Sequence, residues 1–499
     1  MSRKLLVIGL DGVEAPVLEG LMADGELPAL RAVSERGVST PVHATGMQTL
    51  PGAVWQDIFT GTSVGEHGDY YPSRLHTGDD EPRAIDPAQH GGTYVWDEAA
   101  RRGLRSIVVD GPLTTVYPGI SDLVTMICEW HAHDINYGRC SHPPELIASL
   151  EEQHGVRPYE QCDFLLDGTD QSYRNLVDKL RTEAGVKADM VAGLMADQPW
   201  DLAMVCMSQG HCVGHQMWGF HDDVRNGRDH RGLGSAVTDV YRALDDAIGR
   251  LVDAAGEDTD VVVFTSHGME NFIGGPQLIP GVLRAMEFGD PRKVPSWLRP
   301  HVPTDTIHGL FDRFPKLLRL ADVAGAFRPV LDEKVKVIAL RNNRVGAIRV
   351  NMIGREPNGV VEPGDAAGVI DGIVTELEAL RHPVSGEPIV AACHRAADYY
   401  GPDHHPDLPD LMVAFRQDLG LLDTAVSDRL GDITSPPWIT KVHRTGDHSD
   451  ASRLWASVAG VDASRFTGLT SLDLTPLVLE VLERSRPEPA LASEPGQSA

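Results

Sequence analysis

The chain has 499 residues, of which 42% are hydrophobic, and its formal net charge is −28. This length supports a large buried core and predicts either two or three domains or one large α/β domain with an insertion. The negative charge argues against duplex nucleic acid or an anionic membrane as the main partner. An anionic substrate would need a local positive charge, which a bound metal ion would supply.

The six cysteines are scattered without a CxxC pair, which is typical of reduced, buried thiols in an intracellular protein. Residues 1–4 lead directly into an apolar segment, without the apolar region of a secretory signal. No apolar run approaches the ~18 residues that a membrane-spanning helix needs. We therefore expect a soluble cytoplasmic protein.

The first predicted strand is the apolar run Leu5 to Ile8, which Leu10 extends. An unbroken apolar run of this kind indicates a fully buried strand of a parallel sheet. It ends at Asp11, and ligands of open α/β sheets bind outside the carboxyl ends of the strands. Asp11 is therefore a candidate functional residue, although it could also be an ordinary helix cap.

Thr49 precedes a predicted helix that ends near Thr60. Free N–H groups and the helix dipole favour an anion at such a position. The alternative is an ordinary N-cap threonine.

Predicted strands and helices then alternate, which indicates a parallel sheet built from βαβ units. The strand at residues 202–207 leads into His211 and His215, which share one face if the segment is helical and would suit two ligands of one metal. Two histidines at this spacing also occur by chance. The strand at 260–265 ends at Ser266 and His267, so a third histidine lies at a strand end.

Residues 270–335 are rich in proline and lose the strand pattern, which predicts a cap-like insertion. Residues 336–351 are expected to form a hairpin that returns to the sheet. Its Arg349 and Asn351 are candidates for substrate contact, with a structural salt bridge as the alternative for the arginine. Trp130 and His133 are weaker candidates for the lining of a pocket.

Five short motifs carry a family resemblance: GLDG at 9–12, W…FTG…GEHG at 55–68, HCVGHQMW at 211–218, SHGM at 266–269 and GDHS at 446–449. In this order, and at predicted strand ends, they resemble the alkaline phosphatase superfamily. The sequence is most similar to the type I phosphodiesterase and nucleotide pyrophosphatase branch. The resemblance extends from about residue 4 to about residue 482.

The resemblance implies a three-layer α/β/α sandwich with a mostly parallel central sheet and a small cap-like insertion. It also implies two divalent metals, usually zinc, and a Thr or Ser nucleophile that attacks phosphorus in line. The family's metal ligands fall on Asp11, His215, His267 and His448, and Thr49 is the nearest candidate for the nucleophile. The catalytic domain would comprise residues 1–269 and 336–485, interrupted by the insertion at 270–335 and followed by a disordered tail at 486–499.

The sequence departs from the family pattern at three positions. His211 replaces an aspartate ligand, Ser266 replaces the aspartate before the HG pair, and the usual nucleophile position falls on Pro51. His211, His215 and His448 would then form a good zinc site with an open fourth position. The other site would keep Asp11 and His267, with Thr49 or Ser266. We therefore expect one metal that is held firmly and a second that is held weakly or not at all.

These considerations predict a metal-dependent hydrolase of phosphoric esters that acts on a small phosphorylated substrate, with phosphodiesters or nucleotide pyrophosphates favoured over monoesters. Zinc is the expected metal, with manganese or iron as alternatives, and a metal-activated water is the alternative to Thr49 as nucleophile. A phosphotransferase is a further possibility. A non-catalytic member that binds a phosphorylated ligand would explain Pro51 and the lost aspartate, but it has little use for three convergent histidines.

Overall fold

A computed structural model describes residues 3–43, 51–87, 92–133, 137–155, 166, 168–288, 335–342, 344–435 and 444–484. Thr49, most of the predicted insertion and the predicted tail lie outside the described residues.

The strands are β1 Lys4–Leu10, β2 Val38–Val42, β3 Ser73–Arg74, β4 Arg83–Ala84, β5 Ser106–Val109, β6 Val124–Cys128, β7 Cys140–His142, β8 Leu202–Met207, β9 Thr259–Thr265, β10 Gly268–Asn271, β11 Val337–Leu340, β12 Gly346–Val350, β13 Val390–Arg395, β14 Leu411–Phe415, β15 Thr424–Ser427, β16 Gly431–Thr434, β17 Gly446–Ser449 and β18 Ser452–Ser457.

The helices are α1 Ala15–Ala23, α2 Pro28–Glu35, α3 Pro51–Thr60, α4 Val64–His67, α5 Val95–Arg101, α6 Leu146–His154, α7 Asp170–Asp197, α8 Gln209–Arg225, α9 Ala236–Ala255, α10 Ile279–Ala285, α11 Ala366–Glu378, α12 Ala396–Tyr400 and α13 Leu474–Arg484. In the described ranges, no helix is both long and apolar enough to cross a membrane.

The central sheet has eight strands in the order β2-β18-β9-β1-β8-β5-β6-β7. The five strands from β9 to β6 are parallel to one another. At the two edges β18 and β7 run antiparallel to them, and β2 pairs antiparallel with β18. These strand directions confirm the predicted mostly parallel central sheet. Each crossover between parallel strands needs a connecting segment that packs on a face of the sheet.

Alternation along β1 assigns its side chains to two different cores. Leu6, Ile8 and Leu10 pack with residues of α1, α2 and α7 to α9 on one face. Leu5 and Val7 pack with residues of α3, α5 and α13 on the other face. A strand that is buried on both sides needs apolar residues at every position, which explains the unbroken run in the sequence. Helices on both faces give the expected three layers.

A second, four-stranded sheet has the order β11-β12-β14-β13 and is antiparallel. Its core includes residues of α10 and α11. The hairpin expected at 336–351 is confirmed as β11 and β12, but its return to the central sheet is wrong. Hairpin register is a local property, whereas the choice of sheet depends on the distant strand β14, which the sequence pattern does not specify.

The carboxyl edge of the central sheet brings the predicted strand ends together. Leu10 is paired in register with Met207 of β8 on one side and with Thr265 of β9 on the other. The residues that follow these three strands therefore begin at the same level. The short strand β17 adds to this edge because its His448 pairs with Met269 of β10.

Candidate metal centre

The turn after β1 places Asp11 against helix α8. Gly12 has a φ of +61°, and a Cβ atom there would lie 2.7 Å from the Cα atom of His211. Only glycine combines this backbone conformation with such a close approach. The Asp11-Gly12 pair therefore sets the distance between the end of β1 and the start of α8.

The carboxylate of Asp11 is buried and contacts three donors. These are Nε1 of Trp55 at 2.8 Å, Nδ1 of His211 at 2.7 Å and Oγ of Ser266 at 3.2 Å. Burial raises the pKa of Asp11, but the charge and hydrogen bond of His211, together with His267 and Trp55, outweigh burial and hold the pKa well below its ordinary value. An ionised carboxylate only accepts hydrogen bonds, so Nδ1 of His211 donates to Asp11. A histidine that binds a metal is neutral, so Nε2 is the atom of this ring that could bind one.

Helix α8 presents His211 and His215 on one buried face, with ring centroids 4.4 Å apart. The helical placement predicted for this pair is confirmed. Nδ1 of His215 lies 2.9 Å from the main-chain oxygen of Gly446. A carbonyl oxygen can only accept, so the lone pair of His215 is also on Nε2.

Two further buried histidines, His267 and His448, lie beside this pair. Nε2 of His448 lies 2.8 Å from Nε2 of His211. Nε2 of His267 and Nδ1 of His448 are buried and have no hydrogen-bond partner among the described residues. Buried imidazole nitrogens that lack a partner are costly unless a ligand uses them.

Burial keeps these rings neutral. It is the largest cause that lowers the pKa of His267 to about 4, opposed by the charge of Asp11, with His211 and His133 adding to the lowering. Burial first, then neighbouring positive charge, also holds the pKa values of His215 and His448 well below their ordinary value. Neutral imidazole is the form that binds metals.

The ligand atoms form three overlapping clusters, and within each cluster these atoms lie within 4.8 Å of one another. The clusters are His133–His211–His215, His211–His267–His448 and His215–Asp447–His448. Nitrogen donors with a single carboxylate suit zinc or a similar divalent ion. The residues present therefore fit a divalent metal of the kind that the sequence resemblance implies.

The predicted triad of His211, His215 and His448 is brought together, but its members are divided among these clusters. Sequence reasoning missed Asp447 as a possible ligand, although it stands directly before His448 in the GDHS motif. It gave His133 only a pocket-lining role, because that residue follows β6 without a neighbouring motif.

Two expected site residues have indirect positions. Asp11 belongs to none of the three clusters and contacts the ring of His211 instead, so its role as a direct ligand stays a prediction. Oγ of Ser266 lies between Asp11 and Nδ1 of His267, at 3.1 Å from the latter, and this contact orients the ring of His267. Thr49 lies outside the described residues.

Arg349 and Asn351 lie on or directly after β12, and both are fully buried. Nε of Arg349 donates to Glu356 at 2.9 Å, and its Nη1 donates to the main-chain oxygens of Pro406 and Leu408. Nδ2 of Asn351 donates to the main chain at residues 335 and 358. The salt bridge considered for Arg349 is therefore present.

The α/β/α fold and a buried histidine group at the carboxyl edge of the sheet define a metallohydrolase-like centre. A sequence profile described as type I phosphodiesterase / nucleotide pyrophosphatase matches residues 5–281, which is more than half of the chain. The chain belongs to this family and is a divalent-metal-dependent hydrolase of phosphoric esters. This confirms the predicted family and reaction class, although the matched region ends well before residue 482. No curated protein sequence matches the chain significantly.

Solved structures of one enzyme share this fold, and a second protein is similar at a lower score. Phosphonoacetate hydrolase from Sinorhizobium meliloti 1021, in complex with phosphonoformate, is similar with a TM-score of 0.53 and 12% identity, covering 97% of this chain and 96% of that one. Murine ectonucleotide pyrophosphatase/phosphodiesterase 5 has a TM-score of 0.45 and 13% identity, covering 96% and 95%. At such identities the likeness to the hydrolase supports the fold and not a particular substrate.

Proposed function

We propose that this protein is a zinc-dependent hydrolase of small phosphodiesters or nucleotide-pyrophosphate-like substrates, and that His211, His267 and His448 hold its principal metal. One observation carries the proposal. Nε2 of His211 and Nε2 of His448 lie 2.8 Å apart. His267, whose buried Nε2 has no hydrogen-bond partner among the described residues, belongs to the same cluster. Three imidazole rings thus converge, and a metal ion would replace the proton that His211 and His448 share across this contact.

Asp11 positions this ligand set without needing to bind the metal. Its carboxylate fixes Nδ1 of His211 as the donor, so that Nε2 faces His448. A carboxylate behind a histidine ligand fixes the tautomer and raises the basicity of the ring. When bound, a divalent ion supplies positive charge to the phosphoryl oxygens and lowers the pKa of water.

We assign the nucleophile to Thr49. It stands just before α3, and Trp55 of that helix donates to Asp11 at 2.8 Å, so this helix is joined to the site. Its Oγ would form a bond to phosphorus while the ester oxygen leaves, and water would then release the phosphate. A water molecule in place of Thr49 is the competing nucleophile.

The substrate class rests on charge and on the family. A protein of net charge −28 needs a local cation to hold a phosphoryl anion, and the metal provides it. Phosphonoacetate hydrolase, whose fold is similar, has been solved with phosphonoformate and with phosphonoacetate, both small phosphonates. We infer a small phosphorylated substrate here as well.

The first test is metal content together with turnover. Protein purified without chelator is analysed for bound metals and assayed with bis(4-nitrophenyl) phosphate, before and after chelation and with zinc restored. His448→Ala should lose the metal and lower turnover by at least about 10³-fold, since one ligand of the cluster is gone. The exposed His230 supplies the control, His230→Ala, which should match the wild type. Turnover that survives complete metal removal would contradict the proposal.

The nucleophile is tested by Thr49→Ala, with the exposed Thr182→Ala as the matched control. If Thr49 attacks phosphorus, turnover should fall at least about 10³-fold while metal content stays normal. Near-normal turnover would exclude Thr49 and assign the attack to water.

A further inference from the structure

The guanidinium group of Arg444 lies beside Nε2 of His215, the nitrogen that this ring would offer to a metal. Its Nη2 is 2.9 Å from Nε2 of His215 and 3.3 Å from Oδ1 of Asp447, and its Nε donates to the main-chain oxygen of Gly446 at 3.2 Å. The lone pair of His215 on Nε2 and the carboxylate of Asp447 are two of the three donors in the His215–Asp447–His448 cluster. A permanent cation therefore contacts the donors that this cluster would offer to a second metal.

The main chain around Arg444 is fixed to the surrounding elements. Thr445 donates its N–H to the oxygen of His215 at 2.7 Å and receives the N–H of Phe272 on its own oxygen at 2.9 Å. Its Oγ1 accepts the N–H of Gly219 at 3.1 Å. These three bonds hold the segment against α8 and β10, so Arg444 stays within reach of His215.

Gly446 permits this close approach. A Cβ atom at this position would lie 2.3 Å from the main-chain oxygen of Gly214. A residue with a side chain would push β17 away from α8 and carry Arg444 with it. The contact between Arg444 and His215 is therefore built into the packing of two elements.

The charges of the site also favour one metal over two. Among the six residues of the three clusters, the only carboxylate is Asp447, and it already lies beside Arg444. A second divalent ion there would be repelled by the guanidinium and by the first metal at short range. Another buried carboxylate, Asp11, contacts His211 of the first metal's ligand set.

We propose that Arg444 takes the place of a second metal ion, so that the centre binds one divalent ion at His211–His267–His448 and Arg444 supplies the second positive charge to the phosphoryl group. The proposal rests on the proposed function. A guanidinium donates through a planar fork that matches two oxygens of a phosphate. Arg444 would bind the phosphoryl oxygens that a second metal would otherwise neutralise. His215 would then not bind a metal but would hold the guanidinium in position through its Nε2.

The test combines metal stoichiometry with binding of inorganic phosphate. Wild type, Arg444→Ala, Arg444→Lys and the control Arg416→Ala are dialysed against zinc, and bound zinc per chain is measured by elemental analysis. Phosphate affinity of each zinc-loaded protein is measured by calorimetry, and thermal unfolding confirms that each variant is folded. Arg416 is a suitable control because its guanidinium pairs with Asp418 at the surface.

We expect one zinc per chain in the wild type, and a loss of phosphate affinity of at least tenfold in Arg444→Ala with a smaller loss in Arg444→Lys. A second zinc ion bound by Arg444→Ala but not by the wild type would directly support the inference that Arg444 occupies the place of a second metal. Two tightly bound zinc ions in the wild type, or a loss of phosphate affinity below tenfold in Arg444→Ala, would overturn the inference while leaving the hydrolase intact. A wild type without zinc and without turnover would overturn the proposed function, and the inference with it.

Discussion

Two regions of this molecule that contain buried charged side chains have different surroundings. In the second sheet, Arg349 is paired with Glu356 and with main-chain oxygens, and Arg355 joins the same carboxylate at 2.7 Å. At the carboxyl edge of the central sheet, Asp11 is also well paired, but the ring that it orients contacts only another imidazole nitrogen through its Nε2.

This difference separates a structural network from a functional one. Nε and Nη1 of Arg349 have internal partners, although its buried Nη2 has none among the described residues, so removing that side chain should affect mainly stability. The hydrogen bonds of the histidine group end at nitrogens that only a cation or a proton can satisfy, so changes there should affect mainly metal binding. Three predictions follow this contrast from the largest expected effect to the smallest.

Arg349→Ala should lower the free energy of unfolding by about 3–5 kcal/mol, because it leaves Glu356 and two main-chain oxygens with one buried partner fewer. Urea denaturation measures this loss. Bound zinc per folded chain should be unchanged. The surface substitution Arg31→Ala serves as the control, since its partner Glu35 is exposed and such pairs contribute little. A folded Arg349→Ala protein that lacks metal would mean that this arginine belongs to the site.

Asp11→Asn should weaken zinc binding by about 10–100-fold, which is the usual effect of removing the carboxylate behind a histidine ligand. Competition with a chromophoric chelator measures the affinity, and Asp24→Asn, at an exposed position, should behave as wild type. Unchanged affinity in Asp11→Asn would show that the carboxylate does not orient His211.

The stability of the metal-free protein should depend on His267 between pH 6.5 and 4. Burial lowers the pKa of this residue to about 4 from an ordinary 6.5, so in this interval the unfolded chain binds a proton that the folded chain does not. The free energy of unfolding should therefore fall as pH falls through the interval, by at most about 1.4 kcal/mol per pH unit for this group.

His267→Gln should make this dependence shallower. Urea denaturation of chelated protein at several pH values between 6.5 and 4 measures the slope. His215 and His448 have pKa shifts of the same sign, so part of the slope should remain. Identical slopes for wild type and variant would show that the ring of His267 is not buried in a neutral form.

The sequence by itself determined which strand ends carry chemistry. The apolar runs before Asp11 and His211, and before His267, indicated buried parallel strands, because a strand covered on both faces must be apolar throughout. Parallel strands end at one edge, so the convergence of these residues followed from the pattern. The helical pair His211 and His215 also followed from spacing alone.

Only the tertiary structure decided how the donors are shared. Asp11 contacts the ring of His211 and belongs to no ligand cluster. Arg444 contacts His215 because β17 and α8 approach each other at Gly446. The local sequence pattern likewise did not predict the second sheet, to which the hairpin that carries Arg349 belongs. Periodicity records which face of an element is buried, whereas the partner of each buried polar atom depends on contacts between residues hundreds of positions apart.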